Sequence, residues 1–329
     1  MMNQFSSSVS LRADDSTFWQ ALYGPLPELG EVQVTRPLHT LVQTDRSWHQ
    51  WRLELPGHPQ VAWTLHLAWP AAPEAPEARQ VLLSPDGCWP HVLDRAAIDA
   101  VLGEGLALAW FNRCEIAADV EGTHSSPLQG LAPTDSGALA MWAWGLQRSA
   151  QALRGLLQDR LAGLAVIGHS RGGKAALLAA ALDPRIDAVV SHNSGTGGAS
   201  CLGVAGAGSE SLAELAQRFA HWLAPGAQSA HVQAQLIEAE VPAQLWARIA
   251  PRGLLVQQAQ DDAWANPAGT RALLARLAPH WSAAPERLVL RERAGGHAMT
   301  AADWQAAACL VRQALTRADV HHASNPERA

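Results

Sequence analysis

The chain has 329 residues, 48% hydrophobic and 16% charged, with a net charge of −6 and a pI near 6.1. That composition supplies a substantial core and excludes a disordered chain, and an acidic balance without a basic block argues against nucleic acid as a partner. The longest apolar runs, such as "GLALAWF" and "LAGLAVIG", fall short of the roughly 18 residues a membrane helix needs, so no membrane association is expected.

The opening "MMNQFSSSVSLRADD" has no basic segment followed by an apolar one, which gives a cytoplasmic location as the expectation. "QWRLELPG" and the alternating "VAWTLHLAW" read as two strands of an antiparallel hairpin. "PAAPEAPEARQ", Pro70 to Gln80, reads as a surface loop. Beyond it the pattern changes. "QVLLS" is a strand, "RAAIDAVLGE" a helix and "GLALAWF" a strand. "GALAMWAWGLQRSAQALRGLLQD" is a long helix with apolar residues at helical spacing. "LAVIG" is a strand, followed by "KAALLAAAL", a helix stopped by Asp183-Pro184. Strands in "IDAVVSHNSG", "GLLVQQAQ" and "RLVLRER" then flank the helix "PAGTRALLARLAPHW", and "TAADWQAAACLVRQALTR" is the last helix. Strands alternating with helices give an α/β fold with a twisted, mostly parallel sheet covered on both faces, antiparallel at its first strands. The expected layout is one domain over 1–320, with N-terminal strands at about 30–70, a core at about 80–316 and a disordered tail at 321–329.

Cys88, Cys114, Cys201 and Cys309 are scattered without C-x-x-C spacing and read as free thiols. Fourteen tryptophans against four phenylalanines and one tyrosine have two readings: compositional bias, or flat platforms for sugars.

"VIGHSRGGKAAL", Val166 to Leu177, fits two motifs. A phosphate-binding loop would need Ser or Thr after Lys174, to hold Mg²⁺, and Ala175 stands there. The nucleophile elbow G-x-S-x-G accounts for more of the letters. It places Ser170 in a strained strand-to-helix turn, with small Gly168 and Gly172 two residues to either side. The Arg171 N–H, first of the helix, then faces a developing oxyanion. A second donor is expected in "SPDGCW", around Gly87 and Cys88. His169, beside the nucleophile, reads as a satisfied elbow histidine rather than a second base.

A serine needs a base, and in an α/β-hydrolase the chain order is Ser, acid, His. His297, in "RERAGGHAM" after the last strand, fills the base position. The acid follows the preceding strand, where "QQAQDDAWANP" offers both Asp261 and Asp262. His221 and the His321-His322 pair lack a carboxylate or cysteine at ligand spacing, so neither a metal nor any other cofactor is expected.

Taken in order, "MWAWGLQRSAQAL", "VIGHSRGGKAALLAAALD", "VVSHNSGTGGAS", "HWL", "IAPRGLLV", "DDAWANPAG" and "GGHAMTAADW" resemble the glucuronoyl methylesterases of carbohydrate esterase family 15. "GLALAWFNRCEIAAD" is also similar to the segment before their long helix, and the resemblance covers roughly Gln80 to Leu315. It implies an α/β-hydrolase that cleaves esters between glucuronic acid and alcohols without a metal. It implies Ser170 as nucleophile, His297 as base and an oxyanion role for the Arg171 side chain as well as its backbone. Lys174 and Glu210 would contact substrate, and Trp222 and Trp264 would wall the sugar site. Many relatives carry the triad acid just before "SGxGG", where this chain has Asn193. The family's other arrangement, in "D-x-W-A", selects Asp262. The segment "CLGVAGAGSES" lacks the paired arginines common in bacterial relatives, and no export signal is seen. The expected activity is therefore a serine esterase on small or oligosaccharide uronate esters. The alternatives are a general cytoplasmic carboxylesterase or acetylesterase, or a non-catalytic hydrolase-fold binding protein.

Overall fold

The computed structural model describes residues 18–70, 79–120 and 127–322. Among these residues nine strands form one sheet: β1 (Gln33–Val42), β2 (Arg46–Leu55), β3 (His58–Pro70), β4 (Arg79–Ser84), β5 (Ala107–Trp110), β6 (Leu161–His169), β7 (Ala188–His192), β8 (Gly253–Ala259) and β9 (Leu288–Arg293). Their spatial order is β1-β2-β3-β5-β4-β6-β7-β8-β9. The first three strands and the β3–β5 pair run antiparallel, and every pairing from β5 through β4 to β9 is parallel. The helices among the described residues are α1 (Gln20–Tyr23), α2 (Arg95–Gly103), α3 (Ala138–Leu157), α4 (Arg171–Leu182), α5 (Leu212–Arg218), α6 (Ala230–Glu238), α7 (Val241–Trp246), α8 (Pro267–Leu277) and α9 (Ala301–His322). None is long and apolar enough to cross a membrane.

Every strand and helix read from the sequence is present, and the reasons are local. Pro56 and Gly57 turn β2 into β3, whose buried residues alternate with half-buried ones. In the parallel core the alternation is hidden because both faces are covered. Leu82, Leu108, Ile167 and Val190 pack under α2 and α9, while Val81, Ala109, Val166 and Val189 pack under α3 and α4. The Asp94 side chain caps α2 by accepting from the Ala97 N–H at 2.8 Å. Asn266 caps α8, with Pro267 at its first position.

Three features differ from the sequence reading. An edge strand, β1, lies outside the expected hairpin; its Pro37 withholds a donor, which an edge tolerates. Short helices α5, α6 and α7 fill the stretch between β7 and β8, where no element was expected. The last helix runs to His322, past the expected start of the tail at 321, and 323–329 lies outside the described residues, as does 71–78 of the Pro70–Gln80 loop.

The tryptophan question divides by position. Trp63, Trp142, Trp144, Trp246, Trp281 and Trp304 are fully buried core residues. Five of them place the indole N–H on a partner, for example Trp142 on the Ala117 carbonyl at 2.8 Å and Trp304 on the Val92 carbonyl at 2.7 Å. A platform role is left to residues at the site.

Candidate active site

The carboxyl ends of β6, β7 and β8 meet at one rim of the sheet. β6 ends at His169 and α4 begins at Arg171, with Ser170 between them at φ 53° and ψ −118°. That left-handed backbone costs a serine about 1–3 kcal/mol and persists only where its surroundings hold it. The Ser170 N–H donates to the His192 carbonyl at 2.8 Å, and the His169 N–H to the Asp86 carboxylate at 2.7 Å. The flanking glycines are required by contact. A Cβ on Gly168 would lie 2.1 Å from the Gly172 carbonyl carbon, and one on Gly172 would lie 2.2 Å from Asp86 Oδ1. Gly168→Ala is therefore expected to destabilise the fold by roughly 3 kcal/mol or more, since backbone must move. Gly155→Ala, on α3 with nothing within 4 Å of its Cβ position, should instead be neutral or stabilising by up to about 1 kcal/mol. Urea midpoints of the two variants check the pair.

His297 stands on the loop between β9 and α9, its side chain 43% exposed. Its Nδ1 lies 2.6 Å from Oδ2 of Asp262, which is buried just past β8. The other Asp262 oxygen accepts from the Ala265 N–H at 3.3 Å. Asp261 is exposed and turns away, accepting from the Gly295 N–H at 2.7 Å. Asn193, the position where many relatives carry the acid, joins two strand ends as a neutral amide. It donates to the His297 carbonyl at 3.0 Å and accepts from the Ala259 N–H at 2.7 Å.

Ser170 and His297 line one cleft with Arg171, Lys174, Asn193, Ser194, Gly195, Glu210, Phe219, Trp222, Trp264 and Ala265. The cleft spans about 460 Å³, part of it open to solvent. The buried Lys174 ammonium donates to the Ser194 and Thr196 carbonyls, each at 2.5 Å, and among the described residues its third proton has no acceptor. Burial lowers its pKa to about 8, against the pull of Glu210. Burial likewise pushes the Glu210 carboxyl above its ordinary value, against the pull of Lys174. Glu210 Oε1 is buried without a hydrogen-bond partner among the described residues. A buried donor and a buried acceptor with unspent capacity fit a ligand rich in hydroxyls. Trp222 lies against Phe219, ring centroids 3.9 Å apart and nearly parallel, and Trp264 lies against the Arg218 guanidinium at 4.8 Å.

Behind the elbow, His169 Nδ1 faces His192 Nδ1 at 2.9 Å, and His192 Nε2 lies 3.5 Å from the buried Asp303. Burial lowers the pKa of both imidazoles, that of His169 to about 2 and that of His192 against the pull of Asp303. His169 is satisfied within the core.

The structure corrects one expectation. The Gly87 N–H donates to the Phe111 carbonyl at 3.0 Å, because the loop after β4 folds back on the segment after β5. Gly87 is therefore not the second oxyanion donor. Cys88 does not line the cleft either; its thiol faces that of Cys114. Arg171 holds unspent capacity instead, with a buried Nε that has no partner among the described residues. Sequence reasoning also missed Phe219 and Asp119. Phe219 stands three residues before Trp222, within reach of the "HWL" motif. Asp119 carries no spacing signal and gains its contacts only on folding.

The sequence profile of the family described as "Glucuronyl esterase, fungi" matches residues 76–283, more than half of the chain. A 4-O-methyl-glucuronoyl methylesterase 1 from Sodiomyces alcalophilus is 31% identical over 224 residues, covering 59% of this chain and 41% of the relative. A 4-O-methyl-glucuronoyl methylesterase from Podospora anserina is 30% identical over 222 residues, covering 60% of this chain and 44% of the relative. The matches therefore span less than half the length of these relatives. Among solved structures, a glucuronoyl esterase from Solibacter usitatus superposes with a TM-score of 0.74 at 23% identity, covering 90% of each chain. This establishes the α/β-hydrolase fold.

Proposed function

The chain belongs to the glucuronoyl esterase family, and from that premise we propose that it is a serine carboxylic-ester hydrolase acting on uronate esters through an acyl-enzyme on Ser170. The observation that carries the reading is the Asp262–His297 pair at 2.6 Å, set at the same cleft as a serine on a strained elbow. Asp262 fixes the imidazole with its proton on Nδ1, which leaves Nε2 bare to take the Ser170 proton. Ser170 Oγ then attacks the ester carbonyl. The tetrahedral oxyanion accepts from the Arg171 N–H and guanidinium. His297 returns the proton to the departing alcohol, and water releases the acid by the same route.

The acid side of the substrate is assigned to the cleft walled by Phe219, Trp222 and Trp264. There a sugar hydroxyl can accept from Lys174 and donate to Glu210 Oε1. An acid without hydroxyls would leave both buried groups unpaired, which a site of this kind penalises heavily. The methyl ester of glucuronic acid is therefore expected to show a kcat/KM at least roughly tenfold above that of a methyl alkanoate of similar size. Equal values would leave a general carboxylesterase. Failure to turn over these esters and a simple aryl acetate alike would leave a binding protein.

A further inference from the structure

We infer that Asp119 is a positioning residue of this site, presetting the Arg171 guanidinium as an oxyanion donor; the inference rests on the esterase reading above. Asp119 comes from the segment that follows β5, remote in sequence from the elbow. One of its oxygens, Oδ2, accepts from Arg171 Nη1 at 2.6 Å. The other, Oδ1, accepts from the Trp222 indole N–H at 2.8 Å and lies 3.2 Å from His221 Nε2. A single carboxylate thus ties the residue after the nucleophile to the wall of the acid pocket.

Asp119 is itself anchored from below. Arg113 Nη2 lies 3.6 Å from its Oδ2, and the same fully buried guanidinium pairs with the fully buried Asp86. Asp86 in turn accepts the His169 N–H at 2.7 Å. Four alternating side chains, Asp86, Arg113, Asp119 and Arg171, therefore form a chain that starts at the carboxylate holding the residue before Ser170 and ends at the residue after it.

Arginine carries about 2 kcal/mol of rotamer entropy, and a free guanidinium recruited only at the transition state would lose it there. Here the side chain is already placed. Nη1 is held by Asp119, the guanidinium carbon lies 4.4 Å from the Trp222 ring centroid and 5.1 Å from that of Trp89, and Nε is left without a partner among the described residues. A donor fixed before charge develops stabilises an oxyanion without reorganising. Burial opposes ionisation of Asp119, yet the contacts from His221, Arg171 and Trp222 hold its carboxyl well below the usual carboxylate range. It is charged wherever the enzyme works.

The test is steady-state kinetics of Asp119→Asn on an aryl acetate and on methyl glucuronate ester. Asparagine keeps an oxygen for the Trp222 N–H but loses the charge that holds Arg171. The expected result is a kcat lowered roughly 10- to 100-fold with KM within about threefold. In an Arg171→Ala background the same substitution should change kcat by less than about twofold, because its route of action is gone. An unchanged kcat in the single variant, or a multiplicative loss in the double, would overturn the inference. Should Asp119→Asn not fold, Asp119→Glu takes its place; it keeps the charge but displaces the carboxylate by a methylene, and a wild-type kcat there is equally fatal. Absence of any turnover by the unaltered protein defeats the esterase reading instead. Asp119 is then judged by crystal structures of the wild type and the Asn variant: an unmoved guanidinium rejects the positioning role, and a displaced one supports it.

Discussion

Replacing Ser170 with alanine is expected to lower kcat on a uronate ester by roughly 10⁴- to 10⁶-fold while leaving folding stability within about 1 kcal/mol of the original. The two halves have separate causes. Alanine keeps the Cβ, so the backbone at φ 53° stays as strained as before, and the N–H bond to the His192 carbonyl at 2.8 Å is untouched. The packing of α4 and the glycine contacts around the elbow do not involve the hydroxyl. What is lost is the proposed acyl-enzyme oxygen, and among the described residues no other hydroxyl side chain stands on a positive-φ turn. Initial rates together with a urea unfolding curve read both halves at once. Retained turnover in a well-folded variant would remove Ser170 from the reaction. A collapse in stability would mean that the elbow depends on the hydroxyl in a way its contacts do not show.

The second large effect separates two adjacent carboxylates. Asp262→Asn should lower kcat by roughly 10³- to 10⁴-fold, and Asp261→Asn by less than about threefold. Asp262 Oδ2 meets His297 Nδ1 at 2.6 Å, and its other oxygen accepts from Ala265 N–H at 3.3 Å. An asparagine has one oxygen for these two donors. If the oxygen satisfies Ala265, the amide NH₂ faces Nδ1 and drives the imidazole proton to Nε2, where it blocks removal of the serine proton. If the oxygen satisfies His297 instead, the imidazolium formed during reaction lacks its counter-charge. Among the described residues the Asp261 carboxylate accepts from the Gly295 N–H alone, at 2.7 Å, and is exposed, so its asparagine keeps the acceptor. Comparing kcat for the two variants decides the matter. Similar losses, or a larger loss at 261, would move the acid role away from Asp262.

The elements legible in the sequence were those that carry their own pattern. The alternation of "VAWTLHLAW", the glycines around Ser170 and the apolar run before them are each dictated by nearest neighbours, so they can be read without a fold. The pairing of His297 with a carboxylate past β8 follows from chain order, because parallel strands deliver their ends to one rim. Strand β1 fell within the expected strand region at about 30–70 but had no bounds of its own: Leu38, Leu41 and Val42 are exposed, and an edge strand with little to bury shows no period. Helices α5 to α7 are only six to nine residues long, too short to establish a repeat. The placement of Gly87 failed for a different reason. Which way its N–H points is set by an isolated bridge between Asp86 and Asn112, a contact across two loops that no local pattern announces. Asp119 belongs to the same class, a lone carboxylate given meaning by Arg171 and Trp222 from elsewhere in the chain.

The amide of Asn193 has a consequence for redesigning the reaction centre. It faces a peptide oxygen on one side, at His297, and a peptide hydrogen on the other, at Ala259. An anionic side chain introduced there would satisfy the second and repel the first, pushing aside the loop that carries the imidazole. Relocating the negative charge from 262 to 193 would therefore call for a coordinated rebuild of that loop, so each single exchange alone would lead through a poorer catalyst.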